Sequence, residues 1–160
     1  GSTGGGSIGG TGGCGGSSVS REGGLPLPQA LFYICNAVCA VTHMHKQEVL
    51  CRDLKPENFV LGQDGYLMLV DLGSAKSLSP GAQTNTLCGT AEYIPPEMVL
   101  SRGYGRAVDL WGLGVLLFEL LTRCTPFAHR NLSSLFQLVV DAEHVLEGLL
   151  TPPTPSPSPS

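Results

Sequence analysis

The stretch Cys51-Arg52-Asp53-Leu54-Lys55-Pro56-Glu57-Asn58-Phe59-Val60-Leu61 constrains the chain more than any other. Asp53, Lys55 and Asn58 fall within six positions, a proline stiffens the backbone between them, and an apolar, β-prone run follows at once. Charged and amide groups crowded this closely resist burial, so they belong to a loop, and the loop must hand the chain to a strand. The fold therefore has to present a polar loop at the mouth of a sheet, on a core supplied by the flanking segments.

Upstream, Pro26 and Pro28 punctuate the entry to an apolar segment from about Gln29 to Lys46, where Leu31, Ile34, Cys35, Val38, Cys39 and Val41 recur at helical spacing. Cys35, Cys39 and His43 share one face of that helix. With no second ligand pair at zinc-site spacing, they read as a core-facing stripe rather than as metal ligands. Downstream, Phe59 to Leu61 and Tyr66 to Val70 flank Gly62-Gln63-Asp64-Gly65, which predicts a hairpin ending at Asp71-Leu72-Gly73. The loop from Gly73 to about Thr90 is rich in Ser, Pro, Gly and Thr and reads as mobile and phosphorylatable. Pro95-Pro96-Glu97 opens a short helical stretch through Leu100, and Ala107 to Leu121 reads as the central buried helix, closed by Pro126-Phe127. Asn131 to Leu150 has weaker periodicity and predicts one or two amphipathic helices.

The ends differ in kind. Gly1 to Gly24 is Gly/Ser/Thr-rich with few apolar side chains to offset the entropy of ordering, so disorder is expected there. Its formal GxGxxG at Gly4, Gly6 and Gly9 is what so glycine-rich a stretch produces by chance. Thr151 to Ser160 alternates Pro with Ser or Thr and predicts an extended tail. The expected organisation is a disordered head (1–24), a folded unit (25–148) and a disordered tail (149–160).

For 160 residues, 42% hydrophobic content suffices for one core. A formal net charge of -4 argues against nucleic acid or an anionic membrane as a partner. Leu110 to Leu121, the longest apolar run, is too short to span a bilayer and holds Glu119, and no apolar core of a secretory signal occupies the first residues. Six cysteines without a CxxC pair suit a reducing compartment, so the cytoplasm is the expected location, with the nucleus as the alternative.

Five stretches, taken in order and spacing, resemble the catalytic domain of eukaryotic-type protein kinases. They are the helix ending His43-Met44-His45, the loop from Cys51, Asp71-Leu72-Gly73, Gly89-Thr90 through Glu97, and Asp109-Leu110-Trp111-Gly112. Leu87-Cys88-Gly89-Thr90-Ala91-Glu92-Tyr93 is similar to the AGC group, above all to the cyclic-nucleotide-dependent kinases. The resemblance covers roughly residues 29 to 128 and implies a mainly α fold with a short β-hairpin, an incomplete version of the family's larger lobe.

What the resemblance implies chemically is transfer of the ATP γ-phosphoryl group to Ser or Thr of protein substrates, with ATP and Mg2+ as cofactors. Asp53 then takes or orients the proton of the acceptor hydroxyl. Lys55 neutralises charge on the transferred group, and Thr90 bonds the catalytic Asp. Asn58 and Asp71 become the magnesium ligands. Arg52 becomes the partner of a phosphorylated Thr86, added by an activating kinase. Glu57 and Glu119 stand where a basic residue upstream of the acceptor is bound. Asp109 is expected to anchor the loop backbone and Trp111 to fill core.

The pattern also has departures. No counterpart of the family's glycine loop, strand lysine or helix glutamate precedes Gln29, so weak ATP binding is expected of this chain alone. Glu97 resembles a glutamate that pairs with a late arginine, and only Arg130 follows Arg123. Cys51 stands for a larger His or Tyr and Leu72 for Phe, changes expected to loosen the stack that aligns the loop. Ala91 replaces a Pro and Pro95 an Ala. A catalytically silent binding or scaffold module is the competing reading.

Overall fold

A computed structural model describes residues 23–150, with side chains described through Ala142. The expectations for 1–22 and for Thr151 to Ser160, the glycine pattern included, lie outside the described residues. Among the described residues the elements are four α-helices, two 3₁₀ turns and two two-stranded antiparallel sheets.

Helix α1 (Leu27–Lys46) starts two residues earlier than its apolar pattern suggests, because Pro26 caps it and Pro28 sits in the first turn, where a missing N–H costs nothing. His43, His45 and Lys46 in its last turn complement the negative end of the helix dipole. The face that enters the core is Ala30, Ile34, Ala37 and Val41, spaced by four, three and four. The expected stripe is corrected: Cys35, Cys39 and His43 are exposed, as are Leu31 and Val38. The helix is apolar around most of its girth, so its pattern alone does not fix which face packs against α3 (Ala107–Thr122), and Ile34 and Val41 enter the core with two alanines between and beside them. By length and composition α1 could cross a membrane, but it packs on α3 and on the hairpin described below.

Helix α3 (Ala107–Thr122) supplies Leu113, Val115 and Leu116 to the same core, which also contains Cys51, Leu54 and Tyr93. Burying side chains of this size stabilises by about 1.5–3 kcal/mol each. A second cluster gathers Leu50, Ile94, Met98, Tyr104 and Val108, with Phe136 of α4 (Leu132–Leu150) against it. Asn131 caps α4 by accepting the Ser134 N–H at 3.1 Å. Helix α4 runs to Leu150. Helix α2 (Pro96–Val99) is a single turn opened by the paired prolines.

Strands β2 (Phe59–Leu61) and β3 (Leu67–Leu69) form the expected hairpin, closed where Gly62 N–H bonds the Tyr66 carbonyl at 2.8 Å. The other sheet was not legible: β1 (Val49–Leu50) pairs with β4 (Lys76–Ser77). Two-residue strands carry no alternation to read, and their partners lie far apart in sequence. That pairing, with a bridge between Thr84 and Tyr104, gives the Gly73 to Thr90 loop fixed points along its length.

Gly23 and Gly24, expected to be disordered, lie against the end of α3. Leu25 N–H bonds the Leu120 carbonyl at 2.8 Å, and a Cβ on Gly24 would stand 1.8 Å from the Leu121 carbonyl oxygen. Gly24→Ala is therefore expected to lift this segment off, costing about 1 kcal/mol for the lost hydrogen bond and opening the segment to proteolysis ahead of global unfolding. Urea denaturation and limited digestion check it; equal digestion rates for variant and parent would refute the contact.

Candidate active site

The polar loop lies between β1 and β2, on a floor of buried Cys51 and Leu54. Its backbone is gripped from α3. Asp109, 1% exposed, accepts the Cys51 N–H at 2.9 Å and the Arg52 N–H at 2.7 Å, and its Oδ2 lies 2.7 Å from His45 Nε2. Arg52 needs that grip because its φ of 67° is the left-handed region that a non-glycine residue enters at a cost. Gly89 completes the clamp: at φ 97° it lies so near that a Cβ would stand 2.7 Å from the Arg52 carbonyl oxygen.

Asp53, Lys55, Asn58 and Thr90 come together. Asp53 Oδ1 accepts the Thr90 N–H at 3.0 Å and the Thr90 hydroxyl at 2.9 Å. Asn58, 4% exposed, donates its amide to the Asp53 carbonyl at 2.7 Å and to Asp53 Oδ2 at 3.2 Å. Lys55 Nζ donates to the Thr90 hydroxyl at 2.9 Å and lies 3.4 Å from Asp53 Oδ2. The carboxylate is thus held by four donors, and the Thr90 hydroxyl relays between Lys55 and Asp53. A 3₁₀ turn over Pro56–Asn58 delivers Asn58 to this cluster before β2 begins.

Asp71, exposed just beyond β3, makes no hydrogen bond with the side chains of this cluster. The Val70 N–H bonds the Asn58 carbonyl at 3.0 Å, which ties this end of the hairpin to the loop. One oxygen of Asp71 accepts the Gly73 N–H at 2.8 Å. The following Leu72 is 44% exposed and packs into neither buried cluster.

Arg52 and Thr86 do not meet side chain to side chain. Arg52 donates to the Ser74 carbonyl at 2.7 Å and to the Tyr104 hydroxyl at 3.3 Å, and Tyr104 in turn donates to the Thr86 carbonyl at 2.5 Å. Lys76 reaches the buried Thr84 hydroxyl at 2.6 Å, and Thr84 and Thr86 hydroxyls lie 3.5 Å apart. Tyr104, Lys76 and Thr84 were missed in the sequence, where nothing local marks them.

Glu57 and Glu119 converge on Tyr93, whose hydroxyl donates to Glu119. Burial first, then that bond and the charges of Glu119, Glu57 and Glu92, raise the Tyr93 hydroxyl far above its ordinary range. Glu92, which also accepts the Thr125 hydroxyl at 2.9 Å, is a further carboxylate that sequence reasoning passed over. Trp111 stacks on Phe127, ring centroids 5.4 Å apart.

Cys51 is pushed up to about 12, by burial first and then by the charge of Asp109. In the unfolded chain a thiol ionises near 9.0, so above that pH the unfolded state has shed a proton the native state keeps, and this contribution to stability falls as pH rises from about 9 towards 12. Exposed Cys35 and Cys39 are expected to alkylate readily at pH 8, and Cys51 only on unfolding. Mass mapping of alkylated sites checks this, and early labelling of Cys51 would contradict it.

The chain belongs to the protein kinase domain family, whose profile matches residues 15–158. It is 39% identical over 145 residues to Protein kinase 2 of Dictyostelium discoideum, covering 83% of this chain and 30% of that protein. It is 43% identical over 124 residues to the cAMP-dependent protein kinase catalytic subunit PRKX of Homo sapiens, covering 78% and 34%. To the serine/threonine-protein kinase YPK1 of Saccharomyces cerevisiae it is 38% identical over 146 residues, covering 83% and 22%. These relatives place it with serine/threonine kinases of the AGC group, and the chain spans under half the length of the curated relatives it matches.

Proposed function

We propose that this chain carries the phosphoryl-transfer centre of a serine/threonine protein kinase, in the family's larger lobe, acting on protein Ser or Thr with basic residues upstream. The observation that supports this most is the convergence of Lys55, Asn58 and Thr90 on one carboxylate, Asp53. In this reading Asp53 takes or orients the proton of the acceptor hydroxyl as its oxygen bonds to the γ-phosphorus and the bond from that phosphorus to the leaving diphosphate oxygen breaks. Lys55, with Thr90 holding its ammonium group, offsets the charge on the transferred group.

The donor chemistry fits a hard cation. Asn58 commits its NH2 to Asp53, which leaves its amide oxygen, and Asp71 keeps one oxygen beyond the bond to Gly73. Asn58 and Asp71 would hold Mg2+, which when bound neutralises charge on the polyphosphate. Arg52, Lys76 and Tyr104 would receive a phosphorylated Thr86, added by an activating kinase, since a phosphate there adds acceptors beside two cations. Glu57 and Glu119 would meet the basic substrate residue. A reducing compartment, cytoplasm or nucleus, is the proposed setting.

The test is transfer of labelled γ-phosphate from ATP, with and without Mg2+, to a Ser peptide preceded by arginines. It is run with the chain alone and with the chain joined behind the glycine-loop lobe of a related kinase. Magnesium-dependent labelling in the joined form is expected, and silence in both forms sinks the reading.

A further inference from the structure

A cavity of about 430 Å³ opens beside the C-terminal end of α3, lined among the described residues by Gly23, Leu25, Pro56, Glu119, Leu120 and Arg123. Its volume is in the range that takes a small ligand or a few side chains. Two of its walls carry opposite charges. Arg123 follows the last helical residue and turns away in a left-handed conformation, so although it stands four positions after Glu119 the two form no ion pair among the described residues. The Glu119 carboxylate is held instead by the Tyr93 hydroxyl.

Arg123 is aimed by its backbone and by its stem. It ends α3 in the left-handed conformation, φ 63° and ψ 17°, its N–H on the Glu119 carbonyl at 2.7 Å. Glycine adopts that conformation freely and arginine reluctantly. Its side chain runs along Gly23, where an added Cβ would stand 3.3 Å from Arg123 Cδ and 3.7 Å from Nη1. The cavity is therefore lined by a carboxylate and a guanidinium that make no direct ion pair with each other among the described residues.

We propose that Arg123 determines specificity by selecting peptides in which the basic side chain that meets Glu119 is accompanied by an acidic one. This rests on the reading of Glu119 as a contact for basic substrate residues. In an extended peptide, residues two apart share a side, so an Arg-x-Glu segment offers both charges to this cavity at once.

The experiment is fluorescence anisotropy of the chain with three labelled peptides of equal length, carrying Arg-x-Glu, Arg-x-Ala or Ala-x-Ala. The Arg-x-Glu peptide is expected to bind about three-fold tighter than Arg-x-Ala, the scale of one exposed ion pair. Arg123→Gly, which suits the left-handed backbone and so keeps the fold, should make those two peptides equal while both stay ahead of Ala-x-Ala. Arg123→Lys should keep part of the difference. Equal or weaker binding of Arg-x-Glu by the parent chain overturns the inference, whether both peptides bind or neither does, and so does a difference that survives in Arg123→Gly. If Glu119→Gln leaves the preference for Arg-x-Ala over Ala-x-Ala intact while Arg123→Gly still erases the acidic preference, the Glu119 reading fails and the role of Arg123 stands.

Discussion

Replacing Asp109 with Ala is expected to cost about 3–5 kcal/mol, the scale of leaving three buried or part-buried donors without their shared acceptor at about 1–3 kcal/mol each. Three groups lose their acceptor together: the Cys51 and Arg52 backbone N–H groups and the His45 ring. A buried donor left without a partner keeps its full desolvation cost, which is why the loss exceeds that of an ordinary hydrogen bond. Against a typical native stability of about 5–15 kcal/mol the change is large, and it corresponds to a fall of roughly 10 °C in melting temperature for a chain of this size. Asp109→Asn should fall between, since its carbonyl can keep one donor while its NH2 faces another. A variant within about 1 kcal/mol of the parent in urea denaturation would show that α3 does not anchor the loop. The anchor also has a consequence for the site, because without it nothing from α3 holds Arg52 at positive φ. Asp53 follows directly in the chain and would shift with it.

How far the chain is legible without its structure depends on the range over which each feature is encoded. Helix α3 and the β2–β3 hairpin follow from periodicity and from the Asp64-Gly65 turn, both local signals, and the structure has them within a residue or two. The orientation of α1 did not follow. An all-round apolar helix leaves its buried face undecided, and the face that packs, Ala30, Ile34, Ala37 and Val41, is set by contact with α3 and the hairpin. The β1–β4 pair was invisible because each strand is two residues long. Within the site, Asp53, Lys55 and Asn58 are adjacent in sequence and could be grouped on spacing alone. Thr90 joins them across 37 positions, and only the family resemblance pointed to it. Tyr104, Glu92 and Gly89 serve as a bridge, a third carboxylate and a backbone clamp, roles that exist only once distant segments meet.

Asp53→Ala is expected to reverse the balance between stability and activity predicted for Asp109→Ala. Asp53 is part-buried, and its neighbours keep other partners: Asn58 retains the Asp53 carbonyl at 2.7 Å, and Lys55 retains the Thr90 hydroxyl at 2.9 Å. The stability cost should therefore stay near 1 kcal/mol. The cost to phosphoryl transfer, measured as kcat in the form joined to a glycine-loop lobe, should reach about 10²–10⁴-fold, the range supplied by a positioned proton acceptor. Asp53→Asn makes the sharper version of the test, because it preserves volume while placing an NH2 among donors from Thr90, Asn58 and Lys55. It should lose as much activity as Ala with little further loss of fold. Thr90→Ala removes the hydroxyl that links Lys55 to Asp53 but leaves the Thr90 N–H on the carboxylate, so its loss should be smaller, on the order of tenfold. Were Asp53→Ala to melt like Asp109→Ala, or Asp53→Asn to keep most of its activity, the carboxylate would belong to the scaffold of the loop and not to its chemistry.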